Sequence, residues 1–167
     1  MGDFMDFFDL HCDTLTECMD DGDSLLKNER DIDFERGSIF GRWNQVFAVF
    51  VPDSMDDSLV EGYFDSACNF YFDELKKKGD VFPILSSEDV RGHSRGVMLA
   101  MESSRGVGSL ERLEKLYERG LRLITLTWNH KNRAAGGCDE GGGLTDWGRE
   151  LVSKMEKLGI VTDVSHL

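Results

Sequence analysis

Residues 97–127 read VMLAMESSRGVGSLERLEKLYERGLRLITLT. Residues 97–101 are a short apolar run following Gly96, the pattern of a buried strand, and the run stops abruptly at the carboxylate of Glu102. Ser109 then offers a side-chain oxygen to the unpaired N–H groups that open a helix. Leu110, Leu113, Leu116 and Tyr117 share one face of that helix. After Gly120, LRLITLT (121–127) returns to strand character. Strand, helix, strand at this spacing is the unit that builds parallel sheets through right-handed crossovers.

The same alternation extends in both directions. Residues 4–10 form an apolar-rich run leading into His11, and QVFAVFV (45–51) has the look of a strand buried on both faces. Residues 56–78 carry Leu59, Tyr63, Ala67, Phe70 and Leu75 along a helical stripe. That stripe ends in Lys76-Lys77-Lys78 and then Gly79, cations against the helix dipole. Towards the other end, Thr145 caps a helix aligning Trp147, Leu151, Met155 and Leu158, closed by Gly159, before a last strand at 160–164. The loop 136–143 is rich in glycine but lacks the spacing of a phosphate-cradling turn, and is expected to be a mobile surface loop.

An open doubly wound sheet and part of a barrel look alike at this level. His11 and Asp13, Glu102, Asn129 and His166 each fall just past the C-terminal end of a different expected strand. Sites spread over several strand ends are the mark of a barrel, whereas open sheets bind chiefly at one switch point. The expected fold is α/β: a parallel (β/α) barrel of TIM type, incomplete, with about five of eight strands present. Residues 1–167 are read as the N-terminal portion of a single domain.

Composition narrows the function classes. A content of 40% hydrophobic and 31% charged residues is that of an ordinary globular chain. The net charge of −13 disfavours nucleic acid and anionic membrane surfaces, which demand a basic face. No apolar run approaches the roughly 20 residues of a membrane helix, and residues 1–4 lack the features of a signal peptide. Met1-Gly2 is not read as a myristoylation site, because Asp6 stands where a hydroxyl residue is wanted. Cys12, Cys18, Cys68 and Cys138 form no CxxC pair and are read as reduced thiols of a cytoplasmic protein.

Of the polar strand-end residues, His11 and Asp13 lie two apart. On an extended strand both would share a face and could converge on one divalent ion. Glu102 must be solvated, paired or metal-bound, since burying it bare is very costly. On an extended strand His166 shares a face with Ile160, Thr162 and Val164. Each residue alone also fits a purely structural role; together, at equivalent strand ends, they point to a metal site.

The chain resembles the membrane (renal-type) dipeptidase family of zinc peptidases, family M19. The matching segments are Asp9-Leu10-His11-Cys12-Asp13, Ala100-Met101-Glu102, residues 116–127, Gly143-Leu144-Thr145-Asp146-Trp147-Gly148 and residues 158–166, in family order and spacing. The resemblance implies two zinc ions, with His11 and Asp13 on one, His166 on the other and Glu102 bridging as the catalytic carboxylate. It implies hydrolysis of a dipeptide or small amide by a metal-bridging hydroxide. Trp128 stands where renal members carry a substrate-contacting histidine, so Trp128, Asn129 and His130 are the candidate substrate-binding residues.

Family members continue past the position of Leu167 with further ligand and substrate residues. A chain of this length alone is therefore expected to be unstable, homo-oligomeric or catalytically dead, with open sheet edges. Two other readings stand beside the dipeptidase: another metal-dependent amidohydrolase-like barrel enzyme, and a catalytically silent fragment acting only as a packing partner.

Overall fold

A computed structural model describes residues 5–167. The strands are β1 (Asp6–Asp9), β2 (Arg42–Phe50), β3 (Phe82–Pro83), β4 (Arg95–Glu102), β5 (Leu121–Thr125) and β6 (Val161–Asp163). The helices are α1 (Thr14–Asp21), α2 (Asp57–Lys77), α3 (Asp89–Gly92), α4 (Leu110–Glu118) and α5 (Asp146–Leu158), with 3₁₀ turns at Arg36–Ile39 and Ser104–Val107. The sheet order is β1-β2-β4-β5-β6, with β3 paired to β4 off that path. β1 pairs with β2, β3 with β4 and β5 with β6, each in parallel register. The order advances in one direction without the reversal that defines a doubly wound sheet. The fold is thus an incomplete (β/α) barrel of TIM type, as the spacing of strand-end polar residues predicts.

The chain forms two compact units, Met1–Val49 with Ser66–Leu99, and Phe50–Asp65 with Ala100–Leu167; their boundary cuts through β2, α2 and β4. In the first unit Phe34 meets Trp43 and Phe47 edge to face, with centroids 6.4 and 6.0 Å apart. Gly37 is obligatory beside this cluster, because a Cβ there would strike the Trp43 ring. Tyr71, fully buried, donates its hydroxyl to the Val97 carbonyl at 2.9 Å. Glu74 is also buried, and its carboxylate accepts from Ser24 Oγ (2.5 Å) and Leu25 N (2.9 Å) and pairs with Lys77.

In the second unit Leu113, Leu116, Leu121, Ile124, Leu151 and Met155 are buried together with Phe64 and Met101. Ser109 and Thr145 act as the caps their positions predict, accepting from Arg112 N at 3.1 Å and Gly148 N at 2.9 Å. Gly159 closes α5 in the left-handed region at φ 77°. Arg112 and Arg119 both donate to Asp65, at 3.1 and 2.5 Å.

Several sequence expectations need correction. The first strand begins at Asp6; Phe4 lies outside the described residues. The buried face of α2 is Val60, Phe64, Ala67, Cys68, Tyr71 and Leu75, one position on from the expected stripe at its start, and Leu59 is exposed. Apolar residues lie on both flanks of that stripe, so periodicity alone does not choose between adjacent faces. The last strand stops at Asp163, so His166 is not on it. Helix α1 and the two-residue β3 were not expected: β3 contains a proline and is too short to show a period. The loop 136–143 is tied down, by Gly136 N to Gly143 O at 3.3 Å and by Cys138 N to His166 O at 3.1 Å. The four cysteines are free thiols. No helix among the described residues is long and apolar enough to cross a membrane.

Thr145 caps α5 and also donates its hydroxyl to the Arg133 carbonyl at 2.7 Å. Thr145→Ala is expected to lower unfolding free energy by about 1–2 kcal/mol, read as a lower urea midpoint at an unchanged m-value. Thr145→Ser should restore most of the loss.

Candidate functional site

The candidate residues fall into two groups, one in each unit. In the first, the chain leaves β1 at Asp9 and runs beside β2, where the Cys12 carbonyl accepts from Ala48 N at 2.9 Å. Asp13 is the N-cap residue of α1, its own carbonyl accepting from Thr16 N at 3.0 Å and Glu17 N at 3.2 Å. His11 and Asp13 are therefore not on one face of an extended strand, as the HxD spacing suggests. The turn into the helix brings them together instead, with His11 Nε2 3.2 Å from Asp13 Oδ1 and both side chains open to solvent. Between them Cys12 is a neutral thiol, its pKa pushed up to about 12 chiefly by burial.

In the second unit Glu102 is the last residue of β4 and is only 3% exposed. Its carbonyl accepts from Val51 N at 2.9 Å, and its Oε1 lies 3.3 Å from His166 Nε2. His166 reaches this position through a turn. The Asp163 carboxylate accepts from Ser165 N (3.0 Å) and Ser165 Oγ (2.8 Å), and His166 itself adopts φ 64°. Its backbone carbonyl accepts from Thr127 Oγ1 at 2.9 Å. Its Nδ1 faces Asn129 Oδ1 at 2.9 Å. Sequence reasoning missed the part played by Asp163, although Asp followed two residues later by Ser is the signature of such a turn.

Of the candidate substrate residues, Trp128 and Asn129 stand beside His166. The Trp128 ring is 6.1 Å from the imidazole and packs edge-on against Phe50 at 4.9 Å. His130 is engaged elsewhere, with Glu140 at 3.0 Å, Asp139 at 3.5 Å and Asp53 at 3.9 Å. It lines a polar cavity of about 490 Å³ that also includes Asp53, Arg105 and Lys131.

Chemically, each group offers one imidazole nitrogen and one carboxylate oxygen, the donor types that zinc and similar divalent ions take. The fit is closest in the second unit. There a sheltered carboxylate and an imidazole nitrogen face each other across 3.3 Å, and a cation between or beside them relieves the cost of burying that charge.

Past its strand ends, this incomplete (β/α) barrel carries imidazole–carboxylate pairs of the donor types that divalent metal ions take. The family model described as membrane dipeptidase (peptidase family M19) matches residues 3–167, and the chain belongs to that family. Among solved structures, dipeptidase AC, a metallopeptidase of family M19, superposes with a TM-score of 0.85 at 20% identity, covering 98% of this chain and 57% of that one. A metallopeptidase from Rhodobacter sphaeroides, liganded with a phosphinate mimic of the dipeptide L-Ala-D-Ala, gives a TM-score of 0.82 at 18% identity, covering 99% of this chain and 60% of that one. An uncharacterized protein in the PQQ-III 3′ region of Acinetobacter calcoaceticus is 31% identical over 90 residues, 48% of this chain and 29% of its own length. The chain thus spans less than two thirds of the length of each of these proteins.

Beside the candidate pairs, the Glu140 carboxylate holds the His130 imidazole above the ordinary histidine range. Glu140 is held below its own, first by the Lys131 N–H and then by His130. The raised histidine adds stability that is complete below its unfolded pKa and is lost as pH rises through the folded one. The lowered glutamate adds stability that is present above its unfolded pKa and is lost as pH falls through the folded one. The tether is therefore fullest at mildly acidic pH, between the two unfolded values. NMR titration should find His130 with a pKa above about 6.5, moving down in Glu140→Gln. An unchanged His130 pKa in that variant would show that the contact is not formed in solution.

Proposed function

We propose that His11, Asp13, Glu102 and His166 are metal ligands of a zinc-dependent dipeptidase, with Glu102 shared between two ions. The observation that carries this reading is the buried Glu102 carboxylate facing His166 Nε2 at 3.3 Å, in a chain of the membrane dipeptidase family. His11 and Asp13, a second imidazole–carboxylate couple at 3.2 Å, support it. Bound zinc supplies Lewis acidity, which lowers the pKa of a water and polarises a scissile carbonyl.

The remaining roles belong to the chain itself. Glu102 contributes fixed negative charge that selects a divalent cation over a neutral occupant. Its burial keeps water from screening that charge. The Trp128 indole, half-buried against Phe50, offers a flat apolar wall and one N–H donor to a small substrate. Asn129 and His130 flank the wall, Asn129 on the side of His166 and His130 within the polar cavity.

The test uses chelator-treated protein reloaded with Zn²⁺ and assayed on a dipeptide panel. Zn²⁺ binding, and whatever dipeptide hydrolysis the chain supports, should disappear on metal removal and return on reloading. Glu102→Gln keeps the shape and removes the charge. It should lower metal-supported hydrolysis and Zn²⁺ affinity by more than the roughly 10–100-fold that outer-shell changes cost. The fold should survive, since a neutral amide is cheaper to bury than a carboxylate. Hydrolysis that withstands chelation, or that is undiminished in Glu102→Gln, overturns the reading.

A further inference from the structure

We infer that Asn129 is a positioning residue that holds a proton on His166 Nδ1 and fixes the orientation of the ring, so that Nε2 is the nitrogen offered to a divalent cation; the inference rests on the metal site proposed above.

The argument begins with the two ends of one imidazole. Nδ1 lies 2.9 Å from Asn129 Oδ1 and Nε2 lies 3.3 Å from Glu102 Oε1. An amide oxygen only accepts, so Nδ1 must carry the proton. Cys138 Sγ stands 3.5 Å from the same Asn129 Oδ1 as a second donor, which agrees with oxygen rather than nitrogen facing the ring. A neutral imidazole protonated at Nδ1 presents its lone pair at Nε2, the form in which histidine ligates a metal.

Asn129 is itself held by backbone rather than by packing. It adopts φ 54°, a left-handed conformation that asparagine tolerates better than most residues. Its carbonyl accepts from Asp139 N at 3.0 Å. Gly137 permits that approach, because a Cβ there would collide with the Asn129 carbonyl. The Cys138 N–H closes the circuit onto the His166 carbonyl at 3.1 Å. Two residues at positive φ, 37 positions apart, are thus joined both side chain to side chain and through one loop.

Two substitutions separate this role from a merely structural one. Asn129→Gly keeps the left-handed backbone at no steric cost and deletes the acceptor. Asn129→Asp keeps an oxygen in place and also tolerates that backbone. In metal-free protein, long-range ¹H–¹⁵N correlation should find a hydrogen-bonded, slowly exchanging proton on His166 Nδ1, whether or not the Nε2 that faces Glu102 also carries one. Asn129→Gly should lose that proton or its protection from exchange, and Asn129→Asp should retain it. Zn²⁺ titration, followed at the His166 resonances, should show affinity about 10–100-fold weaker in Asn129→Gly and within a few-fold of wild type in Asn129→Asp. An unchanged Nδ1 proton or unchanged Zn²⁺ affinity in a folded Asn129→Gly, with His130 resonances intact, overturns the inference. If Zn²⁺ leaves wild-type His166 untouched while the Nδ1 proton still follows Asn129, the metal-site reading falls and the positioning of the ring stands.

Discussion

A carboxylate shut away from water at the end of a strand is the constraint around which this structure is arranged. Glu102 sits where β4 delivers it, 3% exposed, and a bare charge there would cost several kcal/mol. Positive charge or a directed donor must come to it. His166 does so only because β6 stops at Asp163 and an Asp163–Ser165 turn throws the next residues across. The ring is aimed by Asn129, and Asn129 by a loop that folds back over it. A strand end, a turn, a left-handed asparagine and a glycine-rich loop are thus linked by hydrogen bonds to the imidazole that faces this carboxylate.

The first unit contains an instructive contrast. Glu74 is as deeply buried as Glu102, yet a serine hydroxyl, a backbone N–H and a lysine all serve it. That arrangement is self-sufficient and needs nothing from outside: the carboxylate pins residues 24–25 to α2. Asp33 repeats the pattern with the backbone and guanidinium of Arg36. Glu102 also faces an imidazole, a group that can give up its proton and bind a cation in its place. That partner, rather than the depth of burial, is what makes Glu102 the candidate for a functional role.

Most of the fold was legible in the sequence because its signals are local. Ser109, Thr145 and Gly159 mark helix ends that the structure reproduces, and the β2 run is buried along its length as its uniform apolarity implies. The candidate residues could be named from the sequence, but not the way in which they meet. His11 and Asp13 meet through a helix cap rather than along a strand, and His166 meets Glu102 through a turn rather than by continuing β6. Period-two reasoning finds residues that share a face while the chain stays extended; these sites lie where it stops being extended. The face of α2 was ambiguous for a related reason, since neighbouring stripes are both apolar and only packing selects one. The link from Asn129 to His166 spans 37 positions and leaves no local mark.

The boundary between the two compact units crosses β2, α2 and β4 rather than a linker. Neither unit is a continuous piece of chain, so scissors applied anywhere between them sever hydrogen-bonded strands or a helix. Residues 50–65 have no finished surroundings until residues beyond 100 have been made, and the stretch Ser66–Leu99 must loop out and return in the meantime. Closing that excursion costs chain entropy before any of its contacts repay it. A shortened version that lacks residues 1–49 takes from Ser66–Leu99 the rest of its unit, and one that lacks residues 100–167 does the same to Phe50–Asp65.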